Sequence, residues 1–459
     1  MSCGSAGNCS AVGTYQDGSY NAQAFAVNET GGTWGTAVEL PGLGALGAGG
    51  ATEVSNISCA SVGNCAVGFS TGSGEGSIVG VDTETGGTWS SAVPLPGFAA
   101  LSGGSGYDSF VISCSSPGNC GVSGTYDDDS GQMGFVDNEI SGVWSNVAAV
   151  PGLSQLDVLS EANFESISCS GPGDCSAGGS YAATLIGSTY FPEAFVASEM
   201  NGVWGNAIEV PGTPALNVGG DATVSSISCS SLGDCDAVGT AKDAKGLAVS
   251  FSSTETGGVW KPAIQLFSGT TTAFVSCKSG GNCAAATSNL DEVLTKNESN
   301  GVWGPGSAMF GPLVSNVMSN VSLTSLSCAS DGSCGAGGSL NVLEGLRNIS
   351  QAFVLNSSAS GSAKTTEPSA PKIAVTSPTK GALDVTIDGA FNTGGRAITD
   401  YEATMSVSGA VVAYETWTAA YGNVLPLDSF TPGSYGVRLR LKNAIGWGPY
   451  SSTHTVTIR

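Results

Sequence analysis

This 459-residue sequence contains fourteen cysteines, and their regular spacing indicates either metal binding or disulfide formation. Two thiolates per pair could begin a zinc site, but zinc takes four ligands and the only histidine, His454, is distant in sequence. Seven local disulfides need only an oxidising compartment and leave no cysteine over. The spacing therefore predicts disulfides in a secreted or cell-surface protein. In each pair, five residues separate the cysteines: Cys3/Cys9, Cys59/Cys65, Cys114/Cys120, Cys169/Cys175, Cys229/Cys235, Cys277/Cys283 and Cys328/Cys334.

Glutamates also recur, each five residues before a tryptophan. Two carboxyl groups on either side of a glycosidic bond could hydrolyse it, yet no pair of acids departs from the repeating pattern. Recurrence at one position predicts a turn in which the glutamate accepts backbone N–H bonds, while the tryptophan packs between neighbouring repeats. The glutamate and tryptophan pairs are Glu29/Trp34, Glu84/Trp89, Glu139/Trp144, Glu199/Trp204, Glu255/Trp260 and Glu298/Trp303.

Three consecutive acids, Asp127, Asp128 and Asp129, offer the hard oxygen ligands that calcium prefers. A solvated acidic turn is the alternative interpretation, and no other cofactor is predicted. A Ser/His/Asp triad is not supported, because the only histidine is His454, near the end of the chain.

The charge distribution excludes several partners. The net charge is −23, and no lysine or arginine occurs before Lys242. A surface without cations repels phosphate backbones, so nucleic-acid binding is not expected, and anionic membranes are disfavoured for the same reason. No apolar run is long enough to span a bilayer, so we expect no membrane insertion.

The cysteine pairs and tryptophans recur with a period of about 43–60 residues, which is typical of propellers and solenoids. Each repeat divides into four short strands: one ends at the first cysteine, one begins at the second, and a third such as 24–27 precedes the glutamate. The fourth ends at a Pro-Gly pair such as Pro41-Gly42. Four antiparallel strands repeated seven times predict an all-β, seven-bladed β-propeller over 1–356. Because Met1 directly precedes a repeat already under way, we expect the sequence to be a mature fragment.

The segment Glu29-Thr30-Gly31-Gly32-Thr33-Trp34 resembles the Asp-box turn (Asp-x-Gly-x-Thr-Trp) of sialidase-type propellers, with glutamate in place of aspartate. Four of the six copies lack the threonine before the tryptophan. Together with the cysteine pairs, the segment also resembles the Gly-rich repeat propellers of secreted actinobacterial proteins. The resemblance implies a propeller. Sialidase activity would imply three arginines that bind the substrate carboxylate and a Tyr–Glu pair. Residues 1–356 contain one arginine, Arg347.

A Ser/Thr/Pro-rich linker is predicted at 357–371, and the cysteines stop before it. Residues 372–459 resemble a bacterial fibronectin type III domain, through the motifs at 392–401, 430–440 and 443–451. The usual tryptophan of strand B is absent, and we expect Ile387 or Phe391 to fill its volume. The resemblance implies a β-sandwich that serves as a spacer or a surface-binding module.

In a four-stranded blade, the turns between strands one and two and between strands three and four lie at the same end. The opposite end carries the loops between strands two and three and the connections between repeats, which are long and variable. Binding sites favour variable loops on a rigid scaffold. We therefore expect a non-catalytic binding or adhesion protein that recognises an extracellular glycan or protein surface there. The alternatives are a polysaccharide-acting enzyme and a self-assembling subunit of a surface layer or filament. The ligand-binding candidates are Tyr20, Tyr107, Asp108, Tyr190 and Phe191.

Overall fold

The structure is a computed structural model, and it divides the chain into two compact units. The first comprises Met1–Thr287, Thr295–Gly306 and Leu326–Cys328, and the second Ser288–Leu294, Ser307–Ser325 and Ala329–Arg459. The predicted boundaries at 356 and 372 stay predictions, because most of the linker is not described. The structure describes all residues except 6, 19–20, 47–50, 73–77, 104–106, 129–130, 188, 271, 290–292, 309–320, 329–333, 345–346, 358–366, 389–392, 394–397, 419–423, 444 and 459.

Repeats one to six, numbered by their cysteine pairs, each form one antiparallel sheet. The first strand pairs with the second and the second with the third. The predicted fourth strand is broken into two short strands, and both pair with the third. The break follows from the turn: Gly31 and Gly32 adopt positive φ, which reverses the chain within two residues. Gly35 then donates its N–H to the carbonyl of Asn28, and three residues pass before pairing resumes at Val38.

The first three repeats share this pattern and end in a single helical turn. Repeat one contains β1 (Ser2–Ser5), β2 (Asn8–Gln16), β3 (Ala22–Thr30), β4 (Thr33–Trp34), β5 (Val38–Glu39) and α1 (Leu43–Leu46). Repeat two contains β6 (Ala51–Ser61), β7 (Asn64–Gly72), β8 (Ile78–Thr85), β9 (Thr88–Trp89), β10 (Val93–Pro94) and α2 (Phe98–Leu101). Repeat three contains β11 (Tyr107–Ser116), β12 (Asn119–Asp128), β13 (Gly131–Ile140), β14 (Val143–Trp144), β15 (Ala148–Ala149) and α3 (Leu153–Leu156).

Repeats four to six continue the same order, and only repeat four has the helical turn among their described residues. Repeat four contains β16 (Asn163–Gly171), β17 (Asp174–Ile186), β18 (Thr189–Met200), β19 (Val203–Trp204), β20 (Ile208–Glu209) and α4 (Thr213–Leu216). Repeat five contains β21 (Thr223–Ser231), β22 (Asp234–Lys242), β23 (Ala248–Thr256), β24 (Val259–Trp260) and β25 (Ile264–Ser268). Repeat six contains β26 (Ala273–Ser279), β27 (Asn282–Ser288), β28 (Val293–Ser299), β29 (Val302–Trp303) and β30 (Ser307–Ala308).

The connections between the early repeats are more regular than predicted. Each contains a one-turn helix directly after its Pro-Gly pair, and Gly97, Gly152 and Gly212 enter the helix at φ of 79°, 74° and 84°. Such left-handed φ values favour glycine. The first half of each of these connections is therefore a repeated helical turn. The prediction that the connections between repeats are variable loops is wrong for this half.

Neighbouring repeats share apolar cores, and the recurring tryptophan joins them. Trp89 of repeat two packs in one cluster with Ala24, Ala26 and Leu40 of repeat one, and Trp260 likewise packs in a cluster with repeat four. Trp89 is 9% exposed and Trp34, in the first repeat, is 44% exposed. The predicted packing of the tryptophan between repeats is therefore confirmed for these two repeat pairs.

Three further sheets follow the sixth repeat. The seventh repeat forms a three-stranded sheet of β31 (Val321–Cys328), β32 (Cys334–Glu344) and β33 (Arg347–Ser357). A sheet ordered β34-β35-β38 and a sheet ordered β37-β36-β39-β40 share one core, which includes Leu383, Trp417 and Leu439. Ile387 is buried in that core, and Phe391 lies outside the described residues. These strands are β34 (Ile373–Thr376), β35 (Leu383–Ile387), β36 (Ile398–Val407), β37 (Ala410–Thr418), β38 (Val424–Leu427), β39 (Gly433–Asn443) and β40 (His454–Ile458).

Candidate functional site

In each of the first six repeats, the turn between the two cysteines is hydrogen-bonded to the turn before the tryptophan. In repeat one, Gly32 donates its N–H to the carbonyl of Gly7, and Gly31 donates to the Oδ1 of Asn8. Both turns therefore lie together, at what we call the turn end. The side-chain acceptors are Asn8, Asn64, Asn119, Asp174, Asp234 and Asn282.

All fourteen cysteines are disulfide-bonded, as predicted. In the first six repeats the paired cysteines face each other across the hairpin, with Cα atoms 3.8–4.0 Å apart. Among the described residues, the one cluster with metal-ligand spacing is Asp236 with Cys277 and Cys283, and these cysteines form a disulfide rather than offering thiolates. The disulfides indicate an oxidising environment.

The two cysteines of a pair differ in burial, although sequence reasoning treated them alike. In repeats two to six the first cysteine is half-buried, whereas the second is buried. Cys120 and Cys175 belong to apolar clusters that also contain Phe135 and Phe195. These cysteines are therefore core residues that also crosslink the hairpin. The buried cysteines are Cys65, Cys120, Cys175, Cys235 and Cys283.

A serine before the first cysteine of each pair connects successive repeats. The hydroxyl oxygen of Ser2 accepts the N–H of Cys59, and that of Ser58 accepts the N–H of Cys114. The same bond continues to repeat seven, with N–O distances of 2.9–3.0 Å. Sequence reasoning missed this role, although the recurring Ser-Cys dipeptide is its visible signal. The remaining acceptors are Ser113, Ser168, Ser228 and Ser276.

Three of the recurring glutamates, Glu84, Glu199 and Glu255, accept hydrogen bonds from the preceding repeat instead of from their own turn. Asn28 of repeat one donates to Glu84 of repeat two, and Ser176 of repeat four donates to Glu255 of repeat five at 3.1 Å. The prediction that these glutamates accept turn N–H groups is wrong, because the Asn or Asp of the cysteine turn takes that bond. Five of the six are buried and have at least one oxygen without a hydrogen-bond partner among the described residues: Glu84, Glu139, Glu199, Glu255 and Glu298.

Burial raises the pKa values of these carboxyl groups. Loss of hydration raises the pKa of Glu199 to about 7, and the hydrogen bond from Asn138 only partly opposes this. Loss of hydration likewise raises the pKa of Asp82 to about 7, against a hydrogen bond from Ser90. No lysine or arginine precedes residue 242, so no side-chain cation from this part of the chain stabilises the ionised forms.

Hydroxyl and carboxyl groups also contact the disulfides of the next repeat. The Oγ atoms of Ser10 and Ser176 lie 3.4 Å from the Sγ atoms of Cys65 and Cys235. Asp236 occupies the equivalent position in repeat five, with Oδ2 3.0 Å from Sγ of Cys283. A disulfide sulfur has no hydrogen to donate, so a hydrogen bond here requires the protonated carboxyl group. Burial raises the pKa of Asp236 to about 7, which favours that form.

The opposite end of each repeat, where strands two and three meet, is here called the hairpin end. In repeat four these strands have 13 and 12 residues, compared with 9 and 9 in repeat five. The extra residues carry the hairpin roughly 10–13 Å further, at about 3.3 Å per residue. Near its tip, Leu185 pairs with Tyr190, and these side chains are 46% and 43% exposed.

Tyr190 and Phe191 are the two predicted ligand residues whose side chains the structure describes. A hydrogen bond to Glu161 raises the pKa of the Tyr190 hydroxyl. Phe191 is half-buried, and its ring covers Gly220, where a Cβ would lie 2.2 Å from the ring. Phe191 therefore packs against the connection between repeats four and five, and the side chain of Tyr190 is exposed.

The other predicted site residues are not brought together by the described structure. Tyr20 and Asp129 lie outside the described residues, as do the side chains of Tyr107 and Asp108. Tyr107 begins β11 rather than lying in a loop, and Asp127 and Asp128 end β12, half-buried. Calcium binding at these aspartates stays a prediction.

Repeat four contains a Tyr–Glu pair, but this pair is part of the packing of the repeat. Tyr181 is buried and hydrogen-bonded to Glu209, and loss of hydration, with the neighbouring acids, raises the pKa of its hydroxyl. A nucleophile needs the opposite shift. Repeat one contains the equivalent pair, with the Tyr15 hydroxyl donating to Glu39 at 3.0 Å. Repetition indicates a packing role for both.

A cavity of about 320 Å³ opens at the turn end between repeats one and two. Its polar lining comes from Asn8, Ser10, Asn28 and Glu29, with glycine backbone around them. The residues described as lining it include no aromatic ring and no cationic side chain. It is therefore a second candidate for a small polar ligand, at the end where sequence reasoning expected none.

No known protein family and no curated protein sequence matches this chain. Among solved structures, the chain is similar to a Hadza microbial sialidase, Hz136, at 11% identity over 95% of this chain and 73% of the other, with a TM-score of 0.34. It is also similar to the polysaccharide lyase Uly1 at 10% identity, over 73% and 84%, with a TM-score of 0.42. A prolyl endopeptidase gives 8% identity, 83% and 55% coverage, and a TM-score of 0.37. Likenesses this distant assign no function.

None of the helices in the described part of the chain has the length and apolar character needed to cross a membrane.

Proposed function

We propose that this chain is a secreted, non-catalytic binding or adhesion protein whose ligand, a glycan or a protein surface, docks at the hairpin end. The observation that carries the proposal is the extended hairpin of repeat four, with Leu185 and Tyr190 exposed near its tip. Exposed tyrosine supplies large contact area at low entropic cost. In contrast, five of the six recurring glutamates are buried, and most of the recurring tryptophans pack in the apolar clusters between repeats.

The fold that we propose is a seven-bladed β-propeller over 1–356, a linker at 357–371 and a fibronectin type III domain over 372–459. The repeated sheets and the packing of Trp89 and Trp260 against the preceding repeats support the propeller. The pairing of a three-stranded with a four-stranded sheet supports the sandwich. So does Tyr435, whose hydroxyl donates to the carbonyl of Thr431 at 3.0 Å, as in the tyrosine corner of such sandwiches.

A binding comparison between the two ends tests the proposal. Leu185→Ser with Tyr190→Ala should weaken binding to the ligand found on a glycan array or an extracellular-protein array, by roughly tenfold or more. Val203→Thr is the matched control, because this exposed residue lies at the turn end and repeats one and two carry threonine there. Asn28→Ala tests the cavity instead. Loss of binding in the Asn28 variant alone would move the site to the turn end and overturn the proposal.

A further inference from the structure

In repeats one, three, four and five, the residue after the second cysteine lies against the disulfide of the next repeat. Ser176 of repeat four reaches Cys235 with its hydroxyl, and a Cβ added to Gly121 would lie 2.7 Å from Sγ of Cys175. In repeat five this residue is Asp236, which contacts the Cys277–Cys283 disulfide. It is the one acid at this position of the sequence. The seven residues are Ser10, Ala66, Gly121, Ser176, Asp236, Ala284 and Gly335.

The two sulfur atoms of the Cys277–Cys283 disulfide have different surroundings. Cys277 is half-buried, and the next residue, Lys278, is exposed. Cys283 is 4% exposed, and Oδ2 of Asp236 lies 3.0 Å from its Sγ, compared with 3.7 Å from Sγ of Cys277. A thiolate can therefore approach Sγ of Cys277 from solvent, next to a cationic residue. The sulfur that would leave, Sγ of Cys283, lies beside a carboxyl group.

Asp236 can hold the proton that a leaving sulfur needs. Loss of hydration raises the pKa of its carboxyl group to about 7. The hydroxyl of Thr254 donates to Oδ1 at 2.7 Å and opposes this rise. Of the nearby charged residues, Glu298 raises the pKa further and Lys261 lowers it. Because Thr254 donates to Oδ1, the proton of the neutral form belongs on Oδ2, the atom next to Cys283.

We propose that the Cys277–Cys283 disulfide is a site of thiol–disulfide exchange with dithiol reductants, in which Asp236 donates a proton to the leaving sulfur. One thiolate of the reductant attacks Sγ of Cys277 and forms a mixed disulfide, while the bond between the two cysteines breaks. The electron pair of that bond goes to Sγ of Cys283, which takes the proton from Oδ2 of Asp236.

The second thiolate of the reductant completes the exchange. It attacks the reductant's own sulfur in the mixed disulfide, and Cys277 leaves as a thiolate that takes a proton from water. The reductant departs as a cyclic disulfide, so two electrons pass from the dithiol to the protein. Asp236 regains its proton from water. This reaction is separate from ligand binding at the hairpin end.

Partial reduction of the folded, full chain by dithiothreitol tests the proposal. Alkylation of the free thiols, digestion with pepsin and mass spectrometry follow each disulfide separately. The comparison is made among repeats two to six, where the first cysteine is half-buried and the second is buried. We expect Cys277–Cys283 to exchange at least about tenfold faster than Cys229–Cys235, because a general acid assists only the former.

Variants identify the proton donor. Asp236→Asn keeps the shape of the side chain without an acidic proton, so it should remove the advantage of Cys277–Cys283. Asp236→Ser reproduces the arrangement at Ser176 and should have the same effect. Glu199→Gln is the matched control, since it changes a buried carboxyl group that is hydrogen-bonded to Asn138, and it should leave the advantage intact. The thermal transition of each variant establishes that it is folded.

The pH profile separates proton donation from a structural role. The rate constant at Cys277–Cys283, calculated per thiolate of dithiothreitol, should fall as pH rises from about 6 to about 8, because Asp236 loses its proton. If Asp236 acted only through stability, this rate constant would rise over the same range, because ionisation of a buried group weakens the fold. Such a rise would overturn the proposal. So would a wild-type rate at Cys277–Cys283 no higher than at Cys229–Cys235, or an Asp236→Asn rate equal to wild type.

Discussion

The repeats and the C-terminal sheet face accommodate carboxyl groups in opposite ways. In the repeats, glutamates such as Glu199 are buried against amide or hydroxyl partners, and loss of hydration raises their pKa values. On the face of β36 and β39, Glu402 and Asp400 are paired with Arg440 and Lys442. A buried carboxyl group without a cation is best accommodated when protonated, whereas a paired one is accommodated when ionised. The stability of the repeats should therefore depend on pH through these buried groups. The repeats also contain all fourteen cysteines, so reduction should affect them alone.

Reduction should separate the two regions most strongly. Each short disulfide loop contributes roughly 2–3 kcal/mol, so loss of seven should unfold the repeats, while residues 372–459 contain no cysteine. Calorimetry with and without reductant should show the repeat transition collapsing and the other transition unchanged. A shift of both transitions together would show that the two regions unfold as one.

Truncation of a buried tryptophan should have the next largest effect. Trp260 is 7% exposed and donates its Nε1 hydrogen to Ser198 of the preceding repeat at 3.0 Å. Trp260→Ala should cost about 3–5 kcal/mol of unfolding free energy, as for other large buried rings. Trp34→Ala is the matched control at the equivalent position of repeat one, where exposure is 44%, and should cost less than about 1 kcal/mol. Denaturant titration measures both, and equal costs would contradict the role of packing between repeats.

The sequence predicted the strands, the disulfides and the tryptophan packing because each leaves a local, repeated signal. Cysteine spacing defines the hairpin, and glycines with positive φ define the turns. The role of the glutamates could not be derived in this way. Whether Glu84 bonds its own turn or Asn28 of the preceding repeat depends on how two sheets pack, and spacing within one repeat does not encode this. The length of the repeat-four hairpin depends on pairing between Leu185 and Tyr190, which sequence reasoning placed in a loop.

The pH dependence of stability should report on the buried carboxyl groups of the repeats. Glu199 has a pKa of 4.5 in its ordinary state and about 7 in the fold, so between these values the native state holds a proton that the unfolded state releases. The unfolding free energy of the repeats should therefore fall as pH rises from about 4.5 to about 7, and then level off. The change is on the order of a few kcal/mol for each such group.

Variants that cannot ionise test whether these carboxyl groups cause the fall in stability with pH. Glu199→Gln and Asp236→Asn keep the shape of the side chain and cannot ionise, so each should flatten the fall in stability with pH and stabilise the repeats near pH 7. The matched control is Glu161→Gln, which changes an exposed acid at the hairpin end. Denaturant titrations at a series of pH values measure the slopes. Slopes identical to wild type in both variants would show that these carboxyl groups ionise in the native state without cost.

The smallest expected effect concerns the serine that connects successive repeats. The Oγ atom of Ser113 accepts the N–H of Cys169 at 3.0 Å, and both groups are partly buried. Ser113→Ala leaves that N–H without its acceptor, which should cost about 1 kcal/mol of unfolding free energy. The amide of Cys169 should then exchange its hydrogen faster, while the other amides of β16 keep wild-type protection. Ser113→Thr retains the hydroxyl oxygen and should restore slow exchange at Cys169, because a β-branched residue fits a strand. Unchanged exchange in the alanine variant would show that pairing within each sheet, rather than the serine, protects the junction between repeats.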